Sequence, residues 1–276
     1  MIVHLIDGTY ELFRHFYGIR RGGGVDPEFG AVRGVLNTVA QMLAGKATHI
    51  GVATDHIIES FRNELWAGYK TGEGIDPALW SQFHPLEDAL RAMGVVVWAA
   101  TDLEADDALA SAARIAESDE RVEKVLIWTP DKDLAQCVEG ERVIQVDRRS
   151  GKVRNAAGVK EKFGVEPKFI ADYLALVGDS SDGYPGLPGY GPKTAARLIG
   201  RHGHIEEFPP DVLGEHLADA LLFKRLATLK SDAPLFGNVD ELLWRGSTSE
   251  FAAWAEKIGD PRLLTRITDL EKTLWQ

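Results

Sequence analysis

Nine acidic residues of this 276-residue chain fall in short clusters just after strand-like apolar runs. Asp7 follows IVHLI and Asp55 follows IGVAT. Glu104, Asp106 and Asp107 lie in LEADD, Asp131 and Asp133 in TPDKDL, and Asp179 and Asp182 in VGDSSDG. Acidic side chains at the carboxyl ends of parallel strands converge on one crevice, where an open α/β sheet normally takes its ligand. Negative charge of that density needs cations to hold it. Ligands that are all oxygen suit hard ions, Mg²⁺ or Mn²⁺. The pattern outlines a two-metal site for phosphodiester hydrolysis.

Each cluster also has a plainer reading. Thr101 to Glu104 fits a capping box, and acids in a first helical turn are favoured by the helix dipole. In TPDKDL, Thr129 can serve as N-cap with Pro130 at the first helical position. Asp7 and Asp55, at strand ends, show no capping duty in the sequence. The repetition of acids at strand ends is what the plainer reading leaves unexplained.

The elements that must position these residues read clearly. IVHLI (2–6), HIGVA (49–53), VVVW (95–98), KVLIW (124–128) and RVIQV (142–146) are short buried strands. Helical spacing follows Asp7 in ELFRHFYG and recurs over 31–44, 84–93 and 104–117. Alternating strands and helices predict an α/β fold, a mostly parallel sheet flanked by helices. Residues 67–80, with glycines and a proline, interrupt the alternation as a surface segment. After about 155 the pattern turns helical, which predicts an α/β domain over 1–155 and a helical extension over 156–276. The tail 240–276 holds Trp244, Trp254 and Trp275 but no motif.

Within the extension, GDSSDGYPGLPGYGPKTAARLIG (178–200) alternates glycine and proline between two helical stretches. It reads as a helix-hairpin-helix, the first helix ending near Leu176 or Val177 and Pro192 opening the second. Its hairpin amides suit a backbone phosphate, with Lys193 and Arg197 adding charge. An ordinary αα-corner is the alternative. SFRNELWAGYK (60–70) interleaves Arg62, Trp66, Tyr69 and Lys70, which suits stacking on a base and neutralising a phosphate. The same segment also fits a helix with a buried tryptophan. His15, His202 and His204 show no metal spacing, and Cys137 reads as core.

Composition bounds the class. Net charge is −11, from 42 acids against 31 lysines and arginines, yet basic residues gather locally at Arg14, Arg20 and Arg21, at RRSGKVR (148–154) and at Lys193, Arg197 and Arg201. Local rather than net charge therefore decides nucleic-acid binding. The single cysteine excludes an internal disulfide and a cysteine-based zinc site, and fits a reducing cytoplasm. The run MIVHLIDG reads as a strand, with no basic n-region or long apolar h-region, and no apolar run reaches the ~20 residues of a membrane span. A soluble cytoplasmic protein, monomeric and free of membrane, is the expectation.

LEADD, TPDKDL and GDSSD…PGYGPKTA, in this order, resemble the bacterial 5′→3′ exonuclease and flap endonuclease family. The N-terminal nuclease domain of bacterial DNA polymerase I has the same fold. The resemblance runs from Asp7 to about Phe236 and looks like a stand-alone form. It implies a PIN-like 5′-nuclease fold and two divalent ions. Asp7, Asp55, Glu104 and Asp106 would surround the first ion, and Asp106, Asp131, Asp133 and Asp182 the second, with Asp107 and Asp179 supporting. Lys70 matches the family's lysine at the scissile phosphate, Tyr69 its stacking aromatic, and Arg62 and Arg14 its basic residues nearby. Residues 67–82 match the helical arch through which a 5′ single strand passes. The 178–200 segment matches the duplex-binding helix-3-turn-helix. Gly189, Gly191, Lys193, Thr194 and Arg197 would meet DNA there, with K⁺ on its backbone carbonyls.

Two departures stand out. Gly183 replaces the family's asparagine, so a side-chain interaction in the turn beside Asp182 is expected to be missing. The arch carries Glu73 and Asp76 where relatives are basic, which argues against tight threading of a flap but not against the chemistry. All nine carboxylates are present, which favours an active enzyme over a DNA-junction module that binds without cutting. A PIN-type ribonuclease does not need the duplex clamp. An aspartate-nucleophile phosphatase would need a second aspartate two residues after Asp7, where Thr9 stands.

Overall fold

The computed structural model describes residues 1–21 and 27–274; Trp275 lies outside them. Six strands form one sheet in the order β3-β2-β1-β4-β5-β6. The strands are β1 (Ile2–Asp7), β2 (His49–Asp55), β3 (Val96–Ala100), β4 (Lys124–Trp128), β5 (Val143–Asp147) and β6 (Lys152–Arg154). The first five are parallel and β6 is antiparallel to β5. Continuous apolar strands suit a parallel sheet covered on both faces, and every residue of β2 before Asp55 is buried. β6 is an addition to the sequence reading: KVR has no apolar alternation to mark it.

The chain moves outward from β1 through β2 to β3, then returns to the other side of β1 with β4. The order therefore reverses between β1 and β4, and a crevice opens beyond their carboxyl ends. Asp7 closes β1, and TPDKDL follows β4.

One face of the sheet is covered by α1 (Gly8–Arg21), α2 (Gly30–Ala44) and, beyond the short α3 (Phe61–Leu65) and α4 (Pro77–Trp80), α5 (Phe83–Ala92). The other face takes α6 (Ala105–Ser118), whose alanines allow close approach to β1, β2 and β4. A second apolar cluster is built from α7 (Ala156–Phe163), α8 (Ile170–Val177), α9 (Pro192–His202), α10 (Pro210–Leu213) and α11 (Leu217–Ala227). Tyr69, Ala135 and Val138 of the sheet-side chain also belong to this cluster.

The helical extension does not run to the C-terminus as expected. Leu243 bridges His49 beside β2, and the Trp244 indole donates to the Met93 carbonyl at 2.8 Å. Beyond it α12 (Phe251–Lys257) packs on α5 and α13 (Pro261–Leu274) on α2, so Phe251, Leu263 and Ile267 complete the sheet-side core. The 67–82 segment also differs from a helical arch. It is irregular chain apart from the single turn α4, whose N-cap Asp76 pairs with Arg20 at 2.6 Å.

Candidate active site

Asp7 and Asp55 do have capping duties that the sequence did not reveal. Asp7 accepts the Tyr10 amide at 2.8 Å and the Thr129 hydroxyl at 2.9 Å. Asp55 accepts the Ala105 amide at 2.8 Å, which ties the end of β2 to the start of α6. Gly8 makes this close packing available: a Cβ there would sit 2.7 Å from Val52. The cap of α6 is Glu104 with Asp107, three residues beyond the Thr101–Glu104 pair. Thr129 caps no helix either. Its hydroxyl holds Asp7 and takes the Asp131 amide, while Asp133 starts a 3₁₀ turn at 133–137.

The third contribution comes from the hairpin. Asp179 and Tyr184 exchange backbone hydrogen bonds at 2.9 and 3.0 Å, so 179–184 forms a tight loop aimed at the sheet. Gly183 is left-handed (φ +84°), and a Cβ there would lie 2.0 Å from the Gly68 carbonyl oxygen. The Gly183 carbonyl accepts the Trp66 indole, and the Lys70 amide donates to the Asp182 carbonyl. Gly183 thus replaces the expected side-chain interaction with direct backbone packing that sets Asp182 beside Lys70.

One connected group results. Asp7 feels Asp55 and Asp131. Asp106 feels Asp131, Asp7 and Asp133, and Asp133 feels Asp131, Asp182 and Asp179. Ligand oxygens of Asp133, Asp179 and Asp182 lie within 4.8 Å of one another. Asp133 Oδ1 is buried with no hydrogen-bond partner. Burial first, and then the neighbouring carboxylates, push Asp106 and Asp133 well above the aspartate range and Asp7 up to about 7. Asp55 and Asp182 are raised as well, chiefly by burial and against the pull of Lys70. Added positive charge would favour ionisation of the whole group.

Two lysines reach into it. Lys70 bridges Glu104 at 2.7 Å and Asp182 at 3.0 Å, and these carboxylates hold its pKa well above the ordinary value despite burial. Glu104 is lowered because Lys70 and Arg62 outweigh its burial. Lys132 pairs with Asp179 at 2.7 Å. The sequence reading missed Lys132, although it stands between the two acids of TPDKDL.

Three expected site residues play other parts. Arg62 is 1% exposed and does not face the crevice. Its five N–H groups go to Glu104, to both oxygens of Asp107, and to the Leu226 and Thr228 carbonyls. Asp107 is wholly buried and accepts four hydrogen bonds, two from Arg62 and one each from the Glu104 and Lys230 amides. No lone pair is left for a metal, so Asp107 is a structural partner of Arg62. Tyr69, expected to stack on a base, is 4% exposed, and its hydroxyl donates to Glu104 at 3.3 Å. Arg14 lies on α1, paired with Glu11 at 2.5 Å.

At the far end of the hairpin, Gly189, Gly191, Lys193 and Arg197 are exposed and Thr194 is half-buried at the start of α9. Nothing lies within 4 Å of a Cβ built at Gly189 or Gly191. The turn's backbone is therefore open to a large ligand, and α9 points its free amides outward. The same connection thus feeds two acids into the crevice and presents this surface.

A mostly parallel sheet with an acidic crevice at its switch point, joined to a helix-hairpin-helix layer, defines a nuclease-like α/β class. Residues 2–164 match the family described as 5′-3′ exonuclease, N-terminal resolvase-like domain, and 165–250 match 5′-3′ exonuclease, C-terminal SAM fold. The chain belongs to the 5′-3′ exonuclease family. It is 36% identical over 259 residues to DNA polymerase I of Pseudomonas aeruginosa, covering 86% of this chain and 28% of that protein. The 5′-3′ exonuclease of Buchnera aphidicola is 32% identical over 248 residues, covering 83% of this chain and 81% of that one. The chain spans 25–32% of the length of the DNA polymerase I relatives it matches. The bacteriophage T5 D15 flap endonuclease, solved with DNA and metal ions, has the same fold at 17% identity and TM-score 0.64, with 100% of each chain covered. Among the described residues no helix is long and apolar enough to cross a membrane.

Proposed function

We propose that the chain is a divalent-metal-dependent, structure-specific 5′ nuclease that hydrolyses phosphodiesters of DNA at 5′ ends or flaps. The observation that carries this reading is the group of carboxylates gathered at the strand ends, in which Asp7, Asp133 and Asp182 are buried and Asp133 Oδ1 lacks any partner. An all-oxygen donor set fits Mg²⁺ or Mn²⁺. Asp7, Asp55 and Asp106 would hold one ion, joined by Glu104 once Lys70 turns away from its Oε2, and Asp106, Asp131, Asp133 and Asp182 would hold a second, with Asp179 in support. Such ions supply a hydroxide nucleophile at neutral pH and offset charge on the phosphoryl and leaving oxygens.

The chain's own residues do the rest. Lys70, held by Glu104 and Asp182, can turn its ammonium to a phosphate oxygen and offset charge in the transition state. Arg62 fixes Glu104 from behind and touches no substrate. The exposed hairpin with Lys193 and Arg197 would grip the duplex by its backbone, with K⁺ at the hairpin carbonyls, so structure rather than sequence is read. The T5 relative in complex with DNA and metal ions supports the substrate class.

The test is cleavage of a 5′-labelled flap duplex with Mg²⁺ or Mn²⁺, wild type against Asp131→Asn/Asp133→Asn. Metal-dependent cutting near the junction that vanishes in the double variant supports the reading. Flap binding with no cutting by either protein would overturn it and leave a DNA-binding module.

A further inference from the structure

We propose that Trp80 and Tyr17 form the stacking platform for the unpaired nucleotides of the 5′ strand. The proposal rests on the nuclease reading and specifies how that strand is held. Tyr69, which the family resemblance assigns to stacking, is buried against Glu104. Among the phenylalanines, tyrosines and tryptophans of the described residues, Trp80 (40%) and Tyr17 (39%) are the exposed side chains. They belong to one ladder of rings. Tyr17 lies 6.2 Å from Phe13, Phe13 6.0 Å from Phe83, and Phe83 5.0 Å from Trp80. Phe83 is buried, so the ladder is rigid at its middle and open at its two ends.

The ladder starts beside the reacting centre. Gly72, two residues after Lys70, lies against the Trp80 ring. At the other end, Tyr10, Phe13, Arg14, Tyr17 and Arg149 line a groove of about 450 Å³. Arginines beside aromatic rings suit a phosphate next to a stacked base. The intervening segment offers no such charge. Glu73 is exposed and Asp76 takes up Arg20 at 2.6 Å. A single strand passing along 70–80 is thus held by ring faces rather than through its phosphates. Stacking is tolerant of sequence because every base has a π-face.

The experiment measures binding in EDTA to a duplex with a short oligothymidine 5′ flap and to the same duplex without it. Trp80→Ala is expected to weaken the flapped duplex roughly tenfold, the loss of one stacked base, and to leave the flapless duplex unchanged. The slope of log Kd against log salt should stay the same, because the variant neutralises as many phosphates as the wild type. Trp80→Phe should restore most of the affinity, and Tyr17→Ala should give a smaller, flap-specific loss. Equal weakening on both duplexes, or no weakening on either, overturns the platform even if the wild type cuts flaps with Mg²⁺. A wild type that neither prefers the flapped duplex nor cuts it sinks the nuclease reading, and the platform with it.

Discussion

Asp106 and Asp107 are neighbours in one helical turn, yet they belong to opposite kinds of site. Asp107 points back into the clamp, where Arg62 and two amides occupy every lone pair. Asp106 joins the crevice, where desolvation, Asp131 and Asp7 raise it against the pull of Lys70. Asp107 is wholly buried and satisfied within the chain, whereas Asp106 is only partly buried and its carboxylate is not satisfied there. Asp172 in the helical layer follows the satisfied pattern, with His204, the Ile205 amide and Lys224 around it. Burial of an acid is therefore no mark of function. A buried acid left short of partners is, because the fold bears its cost without internal compensation.

Breaking the clamp should have the largest effect. Arg62→Met leaves Asp107 buried and uncompensated, with a loss of about 3–5 kcal/mol expected by urea denaturation. Activity should fall as well, because Glu104 loses its support. Arg62→Lys cannot reproduce the five-donor fork and should recover only part of either. A variant as stable as wild type would show that the clamp is not the satisfied counterpart of the crevice.

The same isosteric change should then have opposite signs in the two regions. Asp107→Asn removes a charge that Arg62 needs and should cost about 2–4 kcal/mol. Asp133→Asn removes a carboxyl whose ionisation the crowded group opposes and should stabilise the metal-free protein by about 1 kcal/mol at neutral pH. The gain in Tm on adding Mn²⁺ should shrink in Asp133→Asn, because a ligand is lost. Destabilisation of the metal-free protein by both substitutions would abolish the distinction.

How far these two environments could be read from sequence depends on the range of the interactions. Five strands and the acids at their ends were legible because apolar runs and chain order determine them locally. LEADD shows Asp106 and Asp107 side by side. Only the spacing of Glu104 to Asp107, three residues, hinted that the pair closes a helix cap. The fate of Arg62 was not legible, since its carbonyl partners Leu226 and Thr228 lie 164 and 166 residues away. Tyr69 was misread for the same reason: its packing against the helical layer is tertiary. The return of 239–274 to the sheet rests on pairings such as Trp244 with Met93, which leave no periodic trace.

Acid should sharpen the contrast by a smaller amount. Asp7 is raised from 3.8 to about 7, so the fold favours its protonated form. Its contribution is complete below the unfolded value and is lost as pH rises through 7. Glu104 is lowered and acts the other way, losing its contribution only as pH falls below the ordinary glutamate range. Between pH 5 and 8 His4 and His15, lowered by burial to about 4, oppose it, so the Asp7 contribution is read as a difference between two proteins. In EDTA, the stability of the wild type relative to Asp7→Asn should increase on going from pH 8 to pH 5 by an amount on the order of 1–3 kcal/mol. Saturating Mg²⁺ should flatten or reverse that difference by favouring the ionised group. A difference in EDTA that is level across this range would contradict the raised Asp7 carboxyl.

The smallest effect belongs to the outer end of the hairpin, where the residues are exposed and nothing in the fold depends on them. Lys193→Ala should leave Tm unchanged and weaken duplex binding a few-fold at moderate salt. It should reduce the slope of log Kd against log salt by about one, as expected when one phosphate is no longer neutralised. The weakening should be equal for duplexes of unrelated sequence. Asp182→Asn, at the inner end of the same connection, should abolish metal-dependent cutting while leaving that salt slope intact. Two ends of one hairpin would then separate grip from chemistry, although ten residues connect them and a single glycine, Gly183, fixes the inner loop against Gly68.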